Sequence, residues 1–224
     1  MIYILDTANL NEIRHCNEFY PIAGVTTNPS IIAKAKTDFW DLVKEIRSII
    51  GPDKMLHVQT TQTKAEKIVE EAMLLKGELG GEFYIKIPIS EEGLKGTKML
   101  KEKGIGVTMT AIFTPEQALM SAMAGSDFVA PYVNRLENIV GDGTRVVAEI
   151  VEELKRYNSS CRVLAASFKN AEQIHKCALA GCHSVTATYD IYKAVISHPM
   201  TDAAINGFNS DWTSVYGEKT ILDF

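Results

Sequence analysis

The chain has 224 residues, 46% hydrophobic and 23% charged, which is ample for one sizeable core and short for two. Its formal charge of -5 leaves no basic footprint for nucleic acid. The N-terminal "MIYILDTANL" is too short an apolar run for a signal peptide, and no stretch approaches a membrane span, so a cytoplasmic protein without a membrane partner is expected.

Two kinds of segment alternate along the chain. The first strand signal is 2–6 "IYILD", and the second is 23–28 "AGVTTN". A helix-periodic stretch, 30–50 "SIIAKAKTDFWDLVKEIRSII", follows and predicts a helix. Next come 55–60 "MLHVQT" as strand and 64–76 "KAEKIVEEAMLLK" as helix. Strands are then predicted at 83–89 "FYIKIPI", 106–112 "GVTMTAI" and 127–133 "DFVAPYV". The segment 144–157 "TRVVAEIVEELKRY" reads as helix, 162–168 "RVLAASF" as strand, 170–180 "NAEQIHKCALA" as helix and 184–190 "SVTATYD" as strand.

Several strands are apolar on both faces, as strands covered by helices should be. Eight strands, each followed by a helix candidate, in a chain of this length predict a (β/α)8 TIM barrel over 1–224 as one domain. An open doubly wound sheet is the rival, weakened because no GxGxxG follows the first strand. The stretch 200–216 comes after the eighth unit and predicts an extra C-terminal helix. Ile205, Phe208 and Trp212 share a face there that needs another surface, so a homo-oligomer is expected.

The four cysteines, Cys16, Cys161, Cys177 and Cys182, show no CxxC or zinc spacing and read as free reduced thiols. The histidines are scattered and predict no metal cluster.

In a parallel barrel all strand C-termini emerge at one face. The polar residues near those ends are Asp6, Asn28, Gln59, Lys86, Thr110, Tyr132 with Arg135, and Ser167 with Lys169. Singly, each has an ordinary reading. Asp6 could start a helix, Asn28 could form a turn before Pro29, and Arg135 could pair with Glu137 or Asp142. Together they converge on one face. Alternation turns Lys86 inward, where a low dielectric disfavours its charge and leaves a nucleophilic amine, although a strand-end lysine also snorkels. Asp6 offers a carboxylate and Asn28 an amide for a hydroxyl. Gln59 and Thr110 could hold a water, and Tyr132 offers a phenolic proton. Arg135, Ser167 and Lys169 suit a phosphate, beside a helix start. His57 lies on the face of Gln59 but deeper, as core or as a base.

The segments "YILDTAN", "GVTTNPSII", "IKIPISEEG", "APYVNR" and "AASFK" occur in order over essentially the whole chain. They resemble the transaldolase family, and within its small-subunit branch the fructose-6-phosphate aldolases. The resemblance implies a (β/α)8 barrel and Schiff-base chemistry on Lys86, with a sugar phosphate as partner and no cofactor or metal. By the same resemblance Asp6, Thr26 and Asn28 handle the dihydroxyacetone unit. Tyr132, Gln59 and Thr110 take part in proton exchange, while Arg135, Ser167 and Lys169 hold the phosphate. Pentamers paired into decamers are implied, with the C-terminal helix on a neighbouring subunit.

Gln59 stands where transaldolases proper usually carry glutamate, and Tyr132 where they carry phenylalanine. That pair points to retro-aldol cleavage of fructose 6-phosphate. Transfer of the three-carbon unit to an aldose phosphate is the alternative, and a non-catalytic sugar-phosphate-binding barrel is a third reading. Met109 stands where the family's aldolases usually have glycine; alternation turns it toward the helices.

Overall fold

The computed structural model describes residues 1–224. Eight parallel strands pair in chain order and close on themselves: β1 (Ile2–Asp6), β2 (Ile22–Thr26), β3 (Met55–Gln59), β4 (Phe83–Pro88), β5 (Gly106–Ile112), β6 (Phe128–Pro131), β7 (Arg162–Ala165) and β8 (Ser184–Ala187). Helices cover the outside. They are α1 (Leu10–Phe19), α2 (Pro29–Ala35), α3 (Phe39–Ile50), α4 (Ala65–Leu79), α5 (Glu91–Glu102) and α6 (Pro115–Met123). Then come α7 (Val133–Glu137), α8 (Gly143–Arg156), α9 (Ala171–Leu179), α10 (Tyr189–Ile196) and α11 (Pro199–Tyr216). The fold is the (β/α)8 TIM barrel that the alternation predicts.

Alternation sorts the side chains into two cores. Phe83, Ile85 and Ile87 of β4 join the large cluster between strands and helices, and so does Met109 of β5. Ile4, Met55, Phe128 and Leu164 point the other way and fill the barrel interior. His57 belongs to this inner set. Its ring stacks on Tyr84 at 4.7 Å and meets the Phe128 edge at 5.4 Å, and Nδ1 lies 2.9 Å from the Thr108 hydroxyl. Below it the Arg162 guanidinium sits 4.2 Å from the Phe128 ring centre, flooring the barrel. His57 is therefore a core residue. Burial and the charges of Lys86, Arg162 and Arg47 push its pKa well below the usual imidazole value, so it stays neutral.

The expected helix over 30–50 is two helices. The backbone breaks at Lys36, whose φ of 52° ends α2, and Asp38 then accepts hydrogen bonds from the Trp40 and Asp41 amides to start α3. A strong N-cap inside a periodic stretch outweighs the periodicity. β6 is followed by an additional short helix, α7, before α8. The two meet closely: a Cβ on Gly143 would lie 2.4 Å from the Val133 carbonyl oxygen, so only glycine fits there.

α11 forms where the sequence places it, with Pro199 in its first turn, but every residue from 199 to 224 is exposed. Phe208 is 71% exposed and Ile205 51%. The chain end folds back on this helix: the Trp212 indole donates to the Lys219 carbonyl, and Tyr216 packs against Trp212 and Phe224. No helix is long and apolar enough to cross a membrane. The four cysteines are buried and unpaired, and burial pushes the Cys161 and Cys177 thiols up to about 12.

Candidate active site

The C-terminal ends of the strands bring all the predicted polar residues to one face. Lys86 lies on β4, directly beside Gln59 of β3 in the strand register. It is 5% exposed. Its Nζ donates one hydrogen bond, to the Thr27 carbonyl at 2.8 Å. No carboxylate lies within ion-pair reach of it. Burial lowers its pKa from the ordinary lysine value, and the Asp6 carboxylate opposes this only in part. An amine so placed is a better nucleophile toward a carbonyl at neutral pH than an exposed lysine.

Asp6, at the end of β1, is not a helix cap; Asn9 takes that role for α1. Asp6 accepts from the Thr26 hydroxyl at 2.6 Å, and Thr26 also lies 2.6 Å from the Thr186 hydroxyl. The carboxylate is thus oriented from β2 and β8. Asn28 does start α2: its Oδ1 accepts from the Ile31 amide at 3.0 Å. This fixes the side chain while leaving its NH2 without a protein partner.

On the other side of Lys86 two hydroxyls meet. Thr110 of β5 is fully buried, and its Oγ1 lies 3.0 Å from the Tyr132 phenol. Tyr132 sits between β6 and α7, its ring edge-on to Phe113 at 5.6 Å and beneath the Arg135 guanidinium at 4.9 Å. Arg135 is exposed and forms no salt bridge. The surface pairing with Glu137 or Asp142 does not occur, because Asp142 caps α8 and Glu137 turns to Gln173. Ser167 has a φ of 64°, which turns the chain out of β7 after Ala166. Its carbonyl accepts from the Asn134 amide at 2.9 Å, tying it to α7. Lys169 follows, exposed, two residues before the start of α9.

A second set of residues supports these loops. Glu12 accepts from the Thr7 hydroxyl just after Asp6. Glu71 accepts from Thr60 and Thr61 just after Gln59. Gln117 accepts from the Phe113 amide, and Gln173 from the Lys169 amide. Sequence reasoning did not single these out. Part of the signal was there: "NLNE", "TPEQ" and "NAEQ" each place Glu or Gln three residues after an N-cap.

Two comparisons bear on this arrangement. Among solved structures, the chain superposes on a mutant flavocytochrome b2 with benzoylformate at a TM-score of 0.63 and 13% identity, covering 84% of this chain and 56% of that one. A mandelate oxidase mutant with an FMN adduct matches at a TM-score of 0.57 and 11% identity, covering 84% and 63%. At such identity the likeness is one of barrel fold alone, and this chain spans little more than half the length of the flavocytochrome. The sequence comparison reaches further: the model of the family described as transaldolase/fructose-6-phosphate aldolase matches residues 3–219. That span takes in every polar strand end described above. The chain belongs to the transaldolase/fructose-6-phosphate aldolase family.

Proposed function

We propose that this protein is a class I aldolase that reversibly cleaves fructose 6-phosphate to dihydroxyacetone and glyceraldehyde 3-phosphate. The observation that carries the reading is the buried, desolvated Lys86 amine on the same face as the Thr110–Tyr132 hydroxyl pair.

The Lys86 amine adds to the C2 ketone of the open-chain sugar, and the Tyr132 phenol supplies the proton with which the C2 oxygen leaves as water, giving an iminium ion and a phenolate. The Tyr132 phenolate so formed, acting through a water held by Gln59 and Thr110, removes the C4 hydroxyl proton. The C3–C4 bond breaks, its electron pair enters the iminium, and glyceraldehyde 3-phosphate departs. An enamine of dihydroxyacetone remains on Lys86. The same phenol returns the proton to C3, and water hydrolyses the resulting iminium to free dihydroxyacetone and the amine, the released proton going back to the phenolate. Asp6, held by Thr26, orients the C1 and C3 hydroxyls together with the Asn28 NH2. Arg135, Ser167 and Lys169 hold the phosphate, and the α9 start lies beside it.

Transfer of the dihydroxyacetone unit to an aldose phosphate is the second reading, because the family's description names both activities. The distinction lies in the enamine: a nearby phenol protonates it, whereas without one it waits for an aldehyde. The test is an assay for free dihydroxyacetone from fructose 6-phosphate with and without erythrose 4-phosphate. Release without the acceptor supports the lyase; release only of transfer product refutes it.

The exposed apolar face of α11 supports a homo-oligomer in which this helix packs on a neighbouring subunit. The chain's working place in this reading is the cytoplasm.

A further inference from the structure

Gln173, 4% exposed in the first turn of α9, touches two separate parts of the site face. Its Oε1 accepts from the Lys169 amide at 2.7 Å. Its Nε2 donates to the Glu137 carboxylate at 2.5 Å and to Asn134 Oδ1 at 3.2 Å. Its own amide donates to Asn170 Oδ1 at 2.9 Å. One buried side chain therefore joins α7, which carries Arg135, to the loop that carries Ser167 and Lys169. The Asn134 amide donating to the Ser167 carbonyl is a second strut between them.

The same contact settles where the nearest acid goes. Glu137 lies two residues after Arg135, a spacing at which helical side chains do not face each other. Its carboxylate is occupied by the Gln173 amide, and neither Arg135 nor Lys169 takes part in any of the chain's ion pairs. Both cations are left for an anion from outside. The side-chain amide performs both tasks, accepting from a backbone N–H at its oxygen and donating to a carboxylate at its nitrogen.

We propose that Gln173 is a positioning residue for phosphate selectivity: it fixes the Arg135 helix against the Ser167–Lys169 loop and keeps Glu137 from neutralising their charge. This rests on the reading of Arg135, Ser167 and Lys169 as the phosphate ligands. Gln173→Glu sets two carboxylates against each other and leaves the Glu137 charge unengaged in the field of Arg135 and Lys169. Gln173→Met keeps the volume and removes all three side-chain hydrogen bonds.

The experiment is steady-state kinetics of dihydroxyacetone addition to glyceraldehyde 3-phosphate and to plain glyceraldehyde. In Gln173→Glu the KM for the phosphorylated aldehyde should rise about tenfold, the effect of one lost charge-assisted hydrogen bond, with kcat and the plain-aldehyde reaction little changed. Adding Glu137→Gln restores a donor and an acceptor at this contact and should recover most of the loss. Gln173→Met should show the same selective loss if the glutamate variant does not fold. Equal losses on both aldehydes without rescue, or no loss, would overturn the proposal. Arg135→Ala is the control. If it leaves the phosphate preference intact, the phosphate reading and this inference fall together. If it abolishes the preference while both Gln173 variants keep it, this inference alone falls.

Discussion

Replacing Tyr132 with phenylalanine removes one hydroxyl and keeps the ring. The ring's contacts, edge-on to Phe113 and beneath Arg135, survive the change. What is lost is the 3.0 Å hydrogen bond to Thr110. Thr110 is buried, so its hydroxyl then depends on water entering beside it; the expected loss of stability is about 1 kcal/mol. In a chain of this size that lowers Tm by about 2–4 °C. The catalytic effect should be much larger. A general acid–base group contributes about 10²–10⁴-fold, or roughly 3–5 kcal/mol of barrier. Release of free dihydroxyacetone should fall by that factor. Transfer of the same unit to erythrose 4-phosphate should fall less, or rise, because the enamine then persists until an aldehyde arrives. The assay is the ratio of the two rates in wild type and variant, with Tm as the check on folding. An unchanged ratio in a folded variant would refute the assignment of Tyr132 as the group that decides the fate of the enamine.

Lys86→Met should stabilise the fold while abolishing cleavage. Burial lowers the Lys86 pKa below the free-lysine value of 10.5. Below that lowered pKa the native chain carries the full penalty of a buried charge. Between it and 10.5 the unfolded chain binds more protons, so the penalty fades as pH rises. The variant's excess in Tm should therefore be largest at neutral pH and shrink toward pH 10.5; a Tm below wild type at neutral pH contradicts this. For α11, light scattering of the full chain at micromolar concentration should give a homo-oligomer. Phe208→Asp on the exposed face should reduce its size, and a wild-type monomer would count against the assembly.

The strands were legible because parallel strands under helices are continuous apolar runs, and the pleat then decided facing. With Ile85 and Ile87 outward, Lys86 had to be inward, and it is; Met109 obeys the same rule. The helix break at Lys36 was less legible, since periodicity continues across it and only the Asp38 cap marks it. The convergence of Asp6, Lys86 and Tyr132 on one face followed from topology alone. Their actual partners did not. The Thr27 carbonyl that holds Lys86 and the Gln173 amide that holds Glu137 are contacts between segments 59 and 36 residues apart in the chain. No local spacing encodes such distances. Lone arginines likewise read as surface pairs until a structure shows that their acids are engaged elsewhere, as Glu137 and Asp142 are.

Imine chemistry on Lys86 predicts a covalent link to one lysine among many. Borohydride added to the protein with fructose 6-phosphate or dihydroxyacetone should reduce that imine and add covalent mass, and peptide mapping should place it on Lys86. Lys86→Met should take up none. Mass on another lysine, or no added mass in a preparation that cleaves the sugar, would contradict Lys86 as the imine-forming residue.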